Sequence, residues 1–297
     1  MPATPPPAVP SRSPLPAFRG RIGPDARSGH YAVPGRYRLH LSSSSPHCLA
    51  IAVTHGLLGL EDVLPVTPLP AVPDESDGGY SALRPLYEAG CHRYPGPAAA
   101  PVLSDAWTGR IVSNHTPDIL SDLARRFGDG GPGQPVLYPR GAEGEIEAVA
   151  RLCGHGIDDA AQRAGRADAT AAEREAALGT LLRALNTLEW RLASQEYVLG
   201  GEPTAADVRL WVALVHLDVV HRRHLDAAAV HRVAAHRHLW SYARRLAAHP
   251  AFGPRLDLDA IARGHRARCR GLEAAGAALG IVDWTAHTHE GVRTETV

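Results

Sequence analysis

The stretch Tyr37-Arg38-Leu39-His40-Leu41-Ser42-Ser43-Ser44-Ser45-Pro46-His47-Cys48-Leu49-Ala50-Ile51-Ala52-Val53 decides the fold of this chain. Polar and apolar residues alternate at its start, with Tyr37, Leu39 and Leu41 on one face and Arg38 and His40 on the other, which predicts a half-buried strand. The apolar run from Cys48 onward predicts a helix, and the serines with Pro46 predict the turn between them. A helix N-terminus offers free N–H groups and the positive end of its dipole, so the residue before the proline stands where an anion, thiolate or alkoxide is stabilised. That residue is Ser45. Serine is also a preferred N-cap, so a capping role and a chemical role both stay open at this point. Ser42, Ser43 and Ser44 are alternatives one or more registers away. Cys48 is a second nucleophile candidate, although a thiol one turn inside an apolar helix reads as core.

Working outward, a chain of 297 residues with 44% hydrophobic content supports one large or two modest domains. All 31 basic residues are arginine and balance 31 acidic ones, which argues against a dedicated nucleic-acid binder. No run of 18 apolar residues exists, so no membrane span is expected, and the proline-rich start lacks the apolar stretch of a secretory signal. Four scattered cysteines without CxxC spacing suit a reducing, cytoplasmic setting.

Residues 1–30 read as a Pro-rich extension, flexible or wrapped on the surface. After the first strand and helix, Gly59 reads as a helix stop and Val63-Leu64-Pro65-Val66 as a second strand closing a βαβ unit. Residues 67–97 read as an inserted loop. A hairpin follows, from Val102 and Leu103 through Thr108-Gly109 to Arg110–Val112, then a helix from Thr116 or Pro117 to Phe127. The expected order is β-α-β-α-β-β-α over residues 31–127. Residues 128–145 read as a linker, and 146–284 as an all-helical domain with a tail at 285–297. Within it, Leu178, Leu181, Leu182, Leu185, Leu188 and Leu192 predict one long helix over 171–192. The box Thr204-Ala205-Ala206-Asp207 starts another, and shorter helices are expected over 227–248 and 257–275.

Taken together, these residues resemble the glutathione transferase superfamily, a thioredoxin-like α/β domain followed by an all-α domain. Four segments resemble its Xi class, the glutathionyl-hydroquinone reductases: Tyr31–Leu39, Gly59–Val66, Pro101–Asn114 and Tyr197–Asp218, with Gly280-Ile281-Val282 similar to a late family segment. The resemblance implies glutathione or another low-molecular-weight thiol as co-substrate, no metal, a small-molecule substrate and a homodimer. It further implies a thiol cradle in which Pro101 is a cis-proline and Val102 pairs with the thiol peptide's backbone, and in which His115 and Thr116 stand where the family holds the γ-glutamyl end.

Several positions depart from that pattern. The class reads Cys-Pro-Trp-Ala-His-Arg where this chain has Ser45-Pro46-His47-Cys48-Leu49-Ala50. A serine forms no mixed disulfide, so cysteine-dependent reduction is not expected. His115 replaces an acid, and His221 replaces a tyrosine that faces the quinone. The family's later Tyr-Tyr pair has no match near Gly264–Arg268.

The expectation is a glutathione S-transferase-like enzyme acting on a small electrophilic or quinone-like substrate, with Ser45 supporting a bound thiolate and His221 as a pocket acid or base of near-neutral pKa. The alternative is a non-catalytic or thiol-independent binding protein, or a lyase or isomerase, on the same fold. Seventeen histidines raise a metal reading, best for His216, His221 and His224 with His231, His236 and His238 beyond, but with no HExxH and few acids nearby except Asp218 and Asp226 none is expected. Asp207 and Asp218 read as structural, one capping a helix and the other anchoring a buried turn.

Overall fold

The computed structural model describes residues 18–128, 133–269 and 280–284. Strand β1 (Tyr37–Ser42) buries Tyr37, Leu39 and Leu41 and turns Arg38 to solvent, as alternation requires. Helix α1 (Pro46–Leu57) follows with Pro46 in its first turn, where a missing N–H costs nothing. The four-stranded sheet has the order β2-β1-β3-β4, with β2 (Val66–Leu69) parallel to β1 and the hairpin of β3 (Val102–Asp105) and β4 (Arg110–Ser113) antiparallel to it.

Two expectations need correction here. The second strand lies three residues later than Val63, because Leu64 is fully buried in a turn whose backbone hydrogen bonds run back to Leu60. Its Pro68 is tolerated because β2 is an edge strand. Residues 67–97 are also more than a loop: α2 (Arg84–Gly90) forms inside them, and Tyr87 packs with Leu83, Val102 and Ile111 under one sheet face. The hairpin turn has Gly109 at φ 67°, a left-handed position that suits glycine. Helix α3 (Thr116–Asp122) continues as a wider π turn through Phe127, matching the expected span.

Residues 18–23 run beside β4, where the Gly20 N–H donates to Val112 O and the Asn114 N–H to Phe18 O. Arg21 and the Ile22 N–H both donate to Asp122 of α3, which ties this segment to the first domain.

The second half holds α4 (Glu143–Arg151), α5 (Asp159–Ala164), α6 (Ala171–Leu192), α7 (Ala205–Val219), α8 (Ala227–Ala234), α9 (Arg237–Ala247) and α10 (Leu258–Arg268). The predicted 227–248 helix breaks at Ala235–His236 into α8 and α9. The part of the predicted 257–275 helix beyond 269, and the tail from 285, lie outside the described residues.

Helix α7 forms the spine of this half. Its cap is the expected box: Asp207 accepts from the Thr204 N–H and hydroxyl, from the Val198 N–H and from the Tyr242 hydroxyl. One hydrophobic core joins both halves, from Leu39, Ile51 and Leu103 to Leu181, Trp211 and Phe252, so α1 and α7 are packed against each other. Among the described residues no helix is long and apolar enough to cross a membrane.

Candidate functional site

Ser45 is the N-cap of α1, with extended backbone (φ −100°, ψ 128°), and its Oγ accepts from the Cys48 N–H at a long 3.5 Å. The expected cap is therefore present. It uses one lone pair and leaves the hydroxyl hydrogen available to another acceptor. The neighbouring serines are otherwise engaged: Ser42 donates to Pro70 O at 2.8 Å, and its Oγ lies 3.2 Å from that of buried Ser44. Cys48 is buried, and burial pushes its thiol pKa up, which suits a core residue rather than a nucleophile.

The Ala100–Pro101 bond is cis, as the resemblance implied, and places Val102 at the start of β3 opposite His40. The Val102 side chain is wholly buried in the smaller core, so only its backbone is available to a ligand.

At the start of α3, His115 occupies the cap position without a side-chain cap bond. Its Nδ1 instead lies 3.1 Å from Asp118 Oδ2. Arg19 Nε meets the same carboxylate oxygen at 2.5 Å, and Arg21 approaches the other at 3.5 Å. Burial alone would raise the Asp118 pKa, but the Arg19 hydrogen bond, with His115, Arg19 and Arg21 close by, holds it below the ordinary range. The acid nearest this helix start is thus already paired with Arg19 and Arg21.

Two adjoining cavities lie between the halves, beside that shared core, and have His47, Gly154 and Arg209 in common as walls. One, of about 410 Å³, runs from His47 and Thr54 to Thr116 and Val208, with mostly apolar sides. The other, of about 290 Å³, runs from Pro46, next to Ser45, to His216 and His221. Arg209 is positioned by Asp158, whose Oδ2 accepts from its Nη2 at 2.7 Å; burial pushes that carboxyl's pKa up against the pull of Arg209. His216 is buried and its Nε2 has no hydrogen-bond partner among the described residues. Burial lowers its pKa to about 3, with His221 and Arg268 adding to the effect.

His221 lies in the same cavity, but the expected near-neutral titration is corrected: burial, with His265 and His224 nearby, lowers its pKa to about 4. At neutral pH it is a neutral imidazole that resists protonation, suited to share a hydrogen bond rather than to act as an acid or a strong base.

Sequence reasoning overlooked His47, Arg209 and His216 as lining groups. A signal was present in Arg209, the one arginine of α7, two positions after the capping box and amid the apolar residues Val208, Leu210 and Trp211. The histidines considered for metal are scattered: His236 Nδ1 donates to Val233 O while its Nε2 lies 3.1 Å from Asn186 Oδ1, and His216 faces the cleft. His224 instead meets His265, with Nε2 atoms 2.7 Å apart.

Comparison with known proteins agrees with this architecture. The family described as glutathione S-transferase, C-terminal domain, matches residues 171–245. The chain is 28% identical over 256 residues to glutathionyl-hydroquinone reductase PcpF of Sphingobium chlorophenolicum, covering 81% of this chain and 80% of that protein. It is 26% identical over 261 residues to glutathionyl-hydroquinone reductase YqjG of Escherichia coli, covering 83% and 79%. The crystal structure of the glutathione-S-transferase Xi from Phanerochaete chrysosporium superposes with a TM-score of 0.72 at 27% identity, over 86% of this chain and 87% of that one. The glutathione-bound structure of YqjG superposes with a TM-score of 0.74 at 24% identity, over 86% and 90%. On these grounds the chain carries a region that matches the glutathione S-transferase C-terminal domain, and it is similar as a whole to glutathionyl-hydroquinone reductases and to a glutathione transferase of the Xi class.

Proposed function

We propose that this protein is a glutathione S-transferase-like enzyme that joins a low-molecular-weight thiol to a small electrophilic or quinone-like molecule. The observation that carries the reading is the cleft between the N-terminus of α1 and the Arg209–His221 side of α7. A thiol lying along Val102 and the α3 terminus would bring its sulfur toward Ser45. There the hydroxyl, its oxygen already accepting from the Cys48 N–H, is free to donate to a thiolate. The thiol S–H gives up its proton and the sulfur attacks an electrophilic carbon. On a quinone a proton then returns to the substrate anion; on an aryl halide the C–Cl bond breaks and chloride leaves, the thiol proton staying with solvent. Solvent takes the first proton, neutral His221 is suited to share a hydrogen bond with the bound substrate, and Arg209 to attract an oxygen that gains negative charge. Ser45 itself never needs to ionise.

The charge pattern bears on which thiol is used. With Asp118 paired with Arg19 and Arg21, the α3 terminus favours a carboxylate over an ammonium group. That favours a thiol whose end at this position is anionic. It also gives weight to the second reading, a thiol-independent binding protein, lyase or isomerase on the same fold. A homodimer, implied by the resemblance, belongs to the proposal and is read by light scattering.

Retention on immobilised glutathione, together with melting shifts produced by glutathione and by its N-acetyl form, tests the reading. Binding that is lost in Thr116→Ala and Val102→Pro, with conjugation of a chlorodinitrobenzene or benzoquinone that falls in Ser45→Ala, supports it. The thiol reading fails if no cellular thiol raises the melting temperature, or if Ser45→Ala leaves conjugation intact.

A further inference from the structure

We propose that His224, His265 and Cys269 form a binding site for a thiophilic d10 metal ion, Zn2+ or Cu+. One ligand atom from each of the three lies within 4.8 Å of the other two, and all three residues are half-buried, so an ion can reach them from solvent. His265 stands in the last turn of α10, and Cys269, four positions on, caps that helix with its N–H donating to His265 O, which keeps the two residues close together. His224 enters from the last position of the short 3-10 turn His221–His224 that follows α7. The imidazole rings are tilted by 58° with centroids 4.9 Å apart, and their Nε2 atoms converge to 2.7 Å.

Two neutral imidazoles can share one hydrogen bond at that distance, but such a pair does not require a sulfur beside it. In a tetrahedral zinc site the bond lengths put two nitrogen ligands about 3.4 Å apart, so the rings would part by well under an ångström. The set contains no carboxylate, which disfavours Mg2+ and Ca2+, whereas imidazole plus thiolate suits Zn2+ and Cu+. Binding converts the Cys269 thiol to a thiolate, releases its proton to solvent and turns both Nε2 lone pairs toward the ion. Three protein ligands leave one position for water or a small molecule. This assignment is independent of the thiol reading of the cleft.

The test uses the full chain freed of metal by a chelator. Zn2+ is titrated by calorimetry, Cu+ is titrated anaerobically against a chromophoric chelator, and Co2+ serves as a spectroscopic probe. The expected result is one equivalent bound per chain, with a thiolate-to-cobalt charge-transfer band that disappears in Cys269→Ser. His224→Gln and His265→Gln should weaken binding roughly 100-fold, whereas Cys91→Ser should leave it unchanged. Zn2+ binding and Cu+ binding distinguish the two ions. Should a variant fail to fold, protection of Cys269 in the unaltered protein from iodoacetamide by Zn2+, read by peptide mass, decides the matter. The absence of stoichiometric binding, or binding that survives all three ligand substitutions, would show a histidine–histidine hydrogen bond and nothing more.

Discussion

Gly264 of α10 lies directly against Ser44, the residue before the cap of α1. A Cβ built on Gly264 would stand 2.5 Å from the Ser44 Cβ and 3.0 Å from the Ala71 carbonyl oxygen. Arg268, one turn further along α10, reaches the Ser44 carbonyl oxygen at 3.5 Å. The last described helix is therefore seated on the turn that carries Ser45. In an unobstructed helix interior, glycine to alanine stabilises by about 1 kcal/mol. At Gly264 the sign should reverse, with Gly264→Ala lowering the melting temperature and Gly264→Val costing about 1–3 kcal/mol through overpacking. Thermal unfolding of the two variants checks this, and a gain in stability would show that α10 can lift away from Ser44.

Ser45 also admits a restoration experiment. Ser45→Cys puts a thiol at a helix N-terminus, where the free N–H groups and dipole lower its pKa below the ordinary value of about 8.5. Cys48 and Cys153 are buried, and burial pushes Cys153 up to about 12, so neither competes for reagents. The variant should gain one rapidly alkylated cysteine and, with oxidised glutathione, a mixed disulfide absent from the parent at that position. Peptide mass spectrometry reads both. A residue 45 thiol no more reactive than that of Cys91 would mean that the α1 terminus gives a thiolate no special stabilisation.

What the sequence made legible was local. The leucine spacing from Leu178 to Leu192 made α6 recoverable, and the Thr204–Asp207 box located α7. The turn before Pro46 announced Ser45 as a cap. The failures have two physical sources. The apolar run Val63–Val66 has strand composition, yet Leu64 is buried from a turn, because burial does not by itself fix backbone conformation. Helix α2 is seven residues long, with Pro85 near its start and Gly90 at its end, so loop composition hid it. In the site, His47 and Arg209 come together across 162 positions of sequence, and His224 and His265 across 41, distances at which no spacing rule operates. The pKa of His221 was misjudged for the same reason, since its burial and its histidine neighbours come from tertiary packing.

Asp218 holds the late segment in place. Its carboxylate accepts from the Ile281 and Val282 N–H groups at 2.8 and 3.1 Å, from the Trp284 indole at 2.9 Å, and from Arg222 Nε at 2.9 Å. The carboxylate is almost fully buried, so removing its charge leaves Arg222 buried and two backbone donors unmatched. Asp218→Ala should cost about 3–5 kcal/mol, in the range for breaking a buried ion pair. Because the lost donors belong to residues 280–284, amide exchange there should accelerate more than in α6. Uniform acceleration across the chain would assign Asp218 a general rather than a segment-specific role.

Acid sensitivity follows from three histidines. His40 and His221 have folded pKa values of about 4 and His216 of about 3, all lowered chiefly by burial, against about 6.5 in an unfolded chain. Below pH 6.5 the unfolded chain takes up protons that the folded chain refuses, so it binds more protons and stability falls as pH falls. The loss should run from about pH 6.5 until the folded pKa values are reached near pH 4 and then pH 3. Between pH 7.5 and 5 the unfolding free energy should drop by about 2 kcal/mol for each histidine, about 6 kcal/mol for the three, since each pH step of about 1 below the unfolded pKa removes up to about 1.4 kcal/mol per group. Urea midpoints at a series of pH values measure it. His216→Phe removes one of the three groups and should make the slope shallower even if stability at pH 7.5 also changes. An unchanged slope would mean that water in the cleft already solvates His216, which would weaken the case for a dry substrate pocket beside Pro46.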